Sequence, residues 1–252
     1  MLKQLTIILL SVVLGSYGLQ ERPTIYIIGD STVKNSNKEF WGWGSLLAEA
    51  LDTTEIKVAN HAMAGRSTRT FRKEGRWDKV LENIKPGDYL LIQFGHNEGS
   101  KPDTTSGGYR GVLRGIGQDS VVLDWGDGET EVVRSYGENL RRFTIEAKKA
   151  GAQPILLSMI PRNQWDENGR VKRADQDFGL WARQIAKEQG VPFIDLNEIT
   201  ARKYDKIGPD TVKARYFPGD HTHTNFEGAK ENAASVIRGL EELQHPLTKY
   251  IK

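Results

Sequence analysis

Short, almost purely apolar runs recur along the chain, each followed by a stretch whose apolar residues fall three and four apart. Residues 25–28, 56–59, 89–94, 154–159 and 192–194 read as strands. Residues 43–51, 77–84, 135–150 and 174–189 read as helices, and a last helix runs from Asn225, a suitable N-cap, to about Leu243. A strand that is apolar at consecutive positions has no polar face to offer water, so its sheet must be covered on both sides. Strands of that kind alternating with helices predict a parallel sheet in an α/β domain. The helix over 135–150 ends at Gly151 after Lys148 and Lys149, the chemistry a helix C-terminus favours.

One segment breaks the rhythm. An excursion over residues 99–134 has no helical period, and in it Val121, Val122 and Leu123 are set to face Val132 and Val133 across Asp127-Gly128. That pattern predicts a β-hairpin. An insertion at the carboxyl edge of a parallel sheet either walls an active site or decorates the surface, and both readings stand at this point.

The N-terminus carries a different signal. Lys3, an apolar run over 5–14 and the small residues of Gly15-Ser-Tyr-Gly18 predict a signal peptide over 1–18, with residues 19–252 forming one domain. The run is too short for a confident membrane span, which predicts export without stable insertion once it is removed. The destination expected is the periplasm or exterior of a bacterium. The chain of 252 residues has no cysteine, which excludes disulfides, a lipid-anchored cysteine, zinc–thiolate sites and a cysteine nucleophile. A net charge of +2 gives no footprint for bulk nucleic-acid binding.

Chemistry gathers where the strands end. Gly29-Asp30-Ser31 follows the first strand, "NHAMAGRSTRTF" the second and "FGHNEGS" the third, while "FPGDHTHTN" precedes the last helix. Ligands of open α/β sheets collect outside the carboxyl ends of the strands, so these stretches converge. Asp30 or Ser31 could serve only as a turn cap. In the catalytic reading Ser31 is the nucleophile, weak until a base takes its proton. His223 is a base suited to neutral pH, and Asp220, three residues earlier, can hold its imidazole in one tautomer. The backbone N–H groups of Ser31 and Gly65 and the amide of Asn97 would supply an oxyanion hole.

These four stretches resemble the conserved blocks of the SGNH (GDSL-like) hydrolases. "GDSTV", "AGRSTRTF", "FGHNEG", "PRNQW" and "FPGDHTHTN" are similar to rhamnogalacturonan acetylesterases in particular. The resemblance implies a flavodoxin-like three-layer α/β/α sandwich with a five-stranded parallel sheet, the Ser31–His223–Asp220 triad, Gly65 and Asn97 as oxyanion donors, and no cofactor or metal. It departs at Glu98, where the family usually has aspartate, and in the long hairpin.

The expected substrate is an acetylated polysaccharide. Arg66, Arg110 and Arg162 with Trp165 are candidate substrate-binding residues, and Arg69, Arg72, Arg114 and Trp125 belong to the same set. Guanidinium forks suit carboxylates and indole faces suit sugar rings, which favours an acidic pectic backbone over neutral xylan. The alternatives are an esterase or lipase of simple acyl esters, a xylan acetylesterase, a metal-dependent hydrolase using His61, His96, His221 and His223, and a non-catalytic glycan-binding module.

Overall fold

The computed structural model describes residues 21–35, 39–126 and 128–252. The expected signal segment, 1–18, and Asp127 of the hairpin turn lie outside the described residues. Among the described residues there are seven strands: β1 (Thr24–Gly29), β2 (Lys57–Asn60), β3 (Tyr89–Gln93), β4 (Ser120–Gly126), β5 (Glu129–Arg134), β6 (Gln153–Leu157) and β7 (Phe193–Ile194). Five of them form one parallel sheet in the order β2-β1-β3-β6-β7, and β4 with β5 forms a separate antiparallel hairpin. From β1 the chain steps outward to β2 and then returns to β3 on the other side. That reversal opens a crevice above the carboxyl end of β1, the place where such sheets bind ligands.

Both faces of the sheet are buried, as the unbroken apolar runs require. Ile25, Ile27, Leu91, Ile155, Leu157 and Ile194 point to one face, against α5 (Leu196–Ile207) and α7 (Phe226–Glu242). Tyr26, Ile28, Leu90, Ile92 and Leu156 point to the other, against α1 (Thr68–Lys73), α2 (Arg76–Leu81), α3 (Tyr136–Lys149) and α4 (Phe178–Gln189). A smaller cluster joins Tyr204 of α5 to Val212 and Tyr216 of α6 (Pro209–Tyr216). Asn225 caps α7, its side chain accepting from the Gly228 N–H.

Three expectations change. Residues 43–51 form two 3-10 turns, Trp43–Ser45 and Leu47–Ala50, in place of a helix. A Cβ at Gly42 would lie 2.2 Å from the Val33 backbone, and one at Gly44 2.7 Å from Asn60, so the segment is pressed against the first loop and follows its contour. The helix expected from 174 begins at Phe178, because Asp177 caps it there while the Ala174 N–H donates to Asn197. Helices α1, α5 and α6 form where none was expected. The hairpin does form, with Val121 opposite Val133 and Val122 opposite Val132; Val122 and Val132 stay exposed while Val133 is buried, so only one face of this sheet is covered.

Candidate active site

The first loop settles its own ambiguity by dividing the labour. Asp30 is the turn residue: its Oδ1 accepts from the Thr32 N–H at 2.9 Å and hydroxyl at 2.7 Å, and its carbonyl accepts from Val33 and Lys34. The Thr32 hydroxyl is held from behind by Gln93 Nε2 at 2.9 Å, and Gln93 by the Trp43 indole at 2.8 Å. Ser31 is thereby left free, with its Oγ 2.9 Å from His223 Nε2. A Cβ on Gly29 would lie 2.4 Å from the Gln93 carbonyl, which is why glycine must lead into this turn.

His223 is fixed from two sides. Its Nδ1 lies 2.7 Å from Asp220 Oδ2, and its backbone N–H and that of Thr222 donate to Oδ1 at 2.7 and 2.6 Å. A carboxylate can only accept, so Nδ1 carries the proton and Nε2 is left to accept from the Ser31 hydroxyl. Burial pushes the Asp220 carboxyl up, but hydrogen bonds from the His223 ring and from the two backbone amides outweigh it and hold it below the usual range. Phe40 stacks on the imidazole at 5.1 Å. The loop is pinned on either side, by Trp41 N–H to the Thr224 carbonyl and by Asn163 N–H to the His221 carbonyl. His221 is exposed and does not enter the chain of contacts.

Gly65 and Asn97 are brought near each other by Arg66 and Arg110. Gly65 has φ +77°, a left-handed turn that residues with a side chain rarely adopt. Neither its N–H nor that of Ser31 has a hydrogen-bond partner among the described residues. The Asn97 amide donates one N–H to the Arg66 carbonyl at 3.0 Å, while its Oδ1 accepts from Arg110 Nη1 at 3.0 Å. Glu98 is fully buried and ties the second and third loops together, Oε1 accepting from the Thr68 N–H and Oε2 from the Asn97 N–H, both at 2.9 Å. The extra methylene relative to aspartate gives this carboxyl its reach from the third loop to the second. Burial, with Asp30 nearby, raises Glu98 to about 8, and burial raises Asp30 to about 6.

The arginines sort into two groups. Arg66 pairs with Glu74 at 2.9 Å, Arg72 with Glu146 at 3.0 Å, and Arg114 lies 3.8 Å from Asp177. Arg69 is buried, forks onto Glu131, and donates to the carbonyls of Asp103, Gly108 and Gly111. Arg110 and Arg162 have no carboxylate partner among the described residues; Arg162 donates to the His96 carbonyl at 3.1 Å. These two therefore hold the adjacent residues 96 and 97 of one loop. Trp165 spends its indole N–H on Asn163 and leans on the cluster around Val171, and Trp125 donates to Glu131 under the Lys73 ammonium. Among the described residues no three His, Asp or Glu side chains gather as a metal ion would need. No helix there is long and apolar enough to cross a membrane.

Sequence reasoning passed over Phe40, the brace through Glu98 and Thr68, and the hold of Arg69 on the excursion. Only Glu98 carried a signal, as the departure from the usual residue.

A serine, a histidine and an aspartate thus stand in hydrogen-bonded series above the switch point of a parallel sheet, an arrangement suited to hydrolysis through a serine. The model of the GDSL-like Lipase/Acylhydrolase family matches residues 27–230, and the chain belongs to that family. It is 31% identical over 217 residues to a rhamnogalacturonan acetylesterase of Emericella nidulans, covering 86% of this chain and 84% of that one. With a rhamnogalacturonan acetylesterase of Bacillus subtilis the identity is 32% over 243 residues, covering 90% and 93%. Among solved structures, the Bacillus subtilis protein YXIM superposes with a TM-score of 0.71 at 25% identity; the match covers 88% of this chain and 57% of that one. The acetylxylan esterase Axe2 of Geobacillus stearothermophilus shares the fold, with a TM-score of 0.57 at 18% identity over 86% of this chain and 94% of that one.

Proposed function

We propose that the protein is an exported carbohydrate esterase that removes O-acetyl groups from an acidic, pectic polysaccharide of the rhamnogalacturonan type. The observation that carries the chemistry is the series from Ser31 Oγ through His223 to Asp220, at 2.9 and 2.7 Å. Ser31 attacks the acetyl carbonyl as His223 Nε2 takes its proton, and Asp220 stabilises the imidazolium that forms. The tetrahedral oxyanion is met by the N–H groups of Ser31 and Gly65 and the free N–H of the Asn97 amide. His223 returns the proton to the departing sugar hydroxyl. Water, activated by the same histidine, then releases acetate from acetyl-Ser31.

The acidic substrate is supported by Arg110 and Arg162, whose charges no carboxylate of the described chain neutralises and which bond to adjacent residues of the loop that carries Asn97. The names of the two acetylesterase relatives point the same way. Acetate release from acetylated rhamnogalacturonan and from acetylated xylan, each with a Ser31→Ala control, tests the reading. The expected result is a preference for the pectic polymer, abolished in the folded variant. Added salt should lower activity on that polymer while leaving a small neutral acetyl ester unaffected, because exposed ion pairs are screened over about 10 Å at 0.1 M. A preference for xylan would overturn the substrate, and substantial release by Ser31→Ala would overturn the nucleophile.

A further inference from the structure

We infer that Arg110, carried into the site by the excursion over residues 99–134, is a positioning residue that sets the Asn97 amide for the oxyanion; this rests on the reading of Asn97 as an oxyanion donor. The amide of asparagine can sit in two orientations that differ by exchange of its oxygen and nitrogen. Arginine has only donors and is always charged, so the atom that faces Arg110 Nη1 at 3.0 Å has to be Oδ1. The nitrogen then faces the Arg66 carbonyl, which can only accept, at 3.0 Å. The two contacts agree on one orientation. One N–H of the amide is spent on Arg66, and the other is left for the substrate.

Position adds a second effect. A Cβ built on Gly65 would have Arg110 Nη1 at 3.9 Å as its nearest neighbour, so the guanidinium stands beside both proposed donors. Its charge is not cancelled by a carboxylate, whereas neighbouring Arg66 is neutralised by Glu74. Drawing electron density from Oδ1 makes the remaining N–H of Asn97 a better donor to the oxyanion as it develops.

The residue is also held in place from below. Buried Arg69 donates to the carbonyls of Gly108 and Gly111, on either side of Arg110, and the Tyr109 hydroxyl bonds to Glu74 at 3.2 Å. The excursion thus delivers one fixed cation to the catalytic loop, which neither a plain wall nor a decorative insertion would do.

A double-mutant cycle on a small neutral acetyl ester, p-nitrophenyl acetate, tests this, since that ester offers Arg110 no carboxylate to bind. Arg110→Met should lower kcat about tenfold or more, within the about 10²–10³-fold that loss of the Asn97 donor itself costs, with KM hardly changed. Arg110→Lys should recover part of the loss, and the melting temperature should stay close to wild type because the side chain is exposed. In an Asn97→Ala background the Arg110→Met change should cost less than about twofold, because residues acting through one another are not additive. Fully additive losses, or a rise in KM alone, would show that Arg110 acts on the substrate and not through Asn97. Activity surviving in Ser31→Ala would instead bring down the underlying catalytic reading, whatever the cycle gave.

Discussion

The loops around Ser31 and the excursion over residues 99–134 lie side by side but are held by opposite means. The first region is assembled from four stretches far apart in the chain, each locked by short hydrogen bonds to backbone: Asp30 to Thr32, Glu98 to Thr68 and Asn97, and Asp220 to Thr222 and His223. The second is one continuous stretch with an exposed hairpin, and a single buried arginine, Arg69, gathers its carbonyls and Glu131. Where geometry must be held to fractions of an ångström, polar side chains are spent on backbone. Where a surface has only to be presented, ion pairs on its hairpin and one buried arginine shared among its carbonyls suffice.

The comparison can be broken most severely at Asp220. Asp220→Asn keeps the shape but lets the amide donate toward Nδ1, so the histidine settles in the wrong tautomer; by analogy with other triads kcat should fall about 10⁴-fold. His221→Ala, one residue beyond Asp220, should stay within a few-fold of wild type. Steady-state kinetics on one acetyl ester reads both, and similar losses in the two variants would mean that the base has been misassigned.

Arg69→Met strikes the other region. It leaves Glu131 without its fork and the carbonyls of Asp103 and Gly111 without their donor, and removing one partner of a buried pair costs about 3 kcal/mol or more. For a domain of this size that corresponds to a melting temperature lower by roughly 6–12 °C. Activity should fall as well, through the loosened Arg110. A stable, fully active Arg69→Met protein would show that the excursion needs no such anchor.

A smaller effect sharpens the contrast through pH. Glu98, raised to about 8, and Asp30, raised to about 6, both bind their protons more tightly in the folded chain than carboxyls in the unfolded one. Their contribution to stability is therefore complete below about pH 4 and is lost as pH rises, through about 6 for Asp30 and about 8 for Glu98. The melting temperature should decline between pH 6 and 8. Glu98→Gln, which cannot titrate, should flatten that part of the curve even though it melts lower at pH 5. An unchanged slope would move the titration elsewhere.

How much of this could be read beforehand follows the same division. The sheet strands were legible because burial on both faces leaves their central positions almost wholly apolar, with polar residues confined to strand ends and to the edge strand β2. The hydrogen-bonded series of Ser31, His223 and Asp220 could be anticipated because each residue sits next to a strand end or a helix cap. Helix α1 could not, since Thr68–Lys73 has no apolar period and is started by the mutual bonds of Ser67 and Thr70. Helix α6 is nearly as unpatterned, and its one signal is Pro209 in the first turn. The arginines looked alike in sequence. Only three-dimensional placement separates Arg69, which is buried and structural, from Arg110, which is exposed and beside Asn97.

The central claim is that Ser31 is the nucleophile, and covalent trapping tests it without reference to any substrate's identity. The protein would be treated with an organophosphate ester, which captures an activated serine as a stable phosphoserine ester, and then digested and mapped by mass spectrometry. One adduct is expected, on Ser31, forming in step with the loss of esterase activity and absent from His223→Ala over the same interval. An adduct on another residue, or full labelling of Ser31 with activity intact, would contradict it.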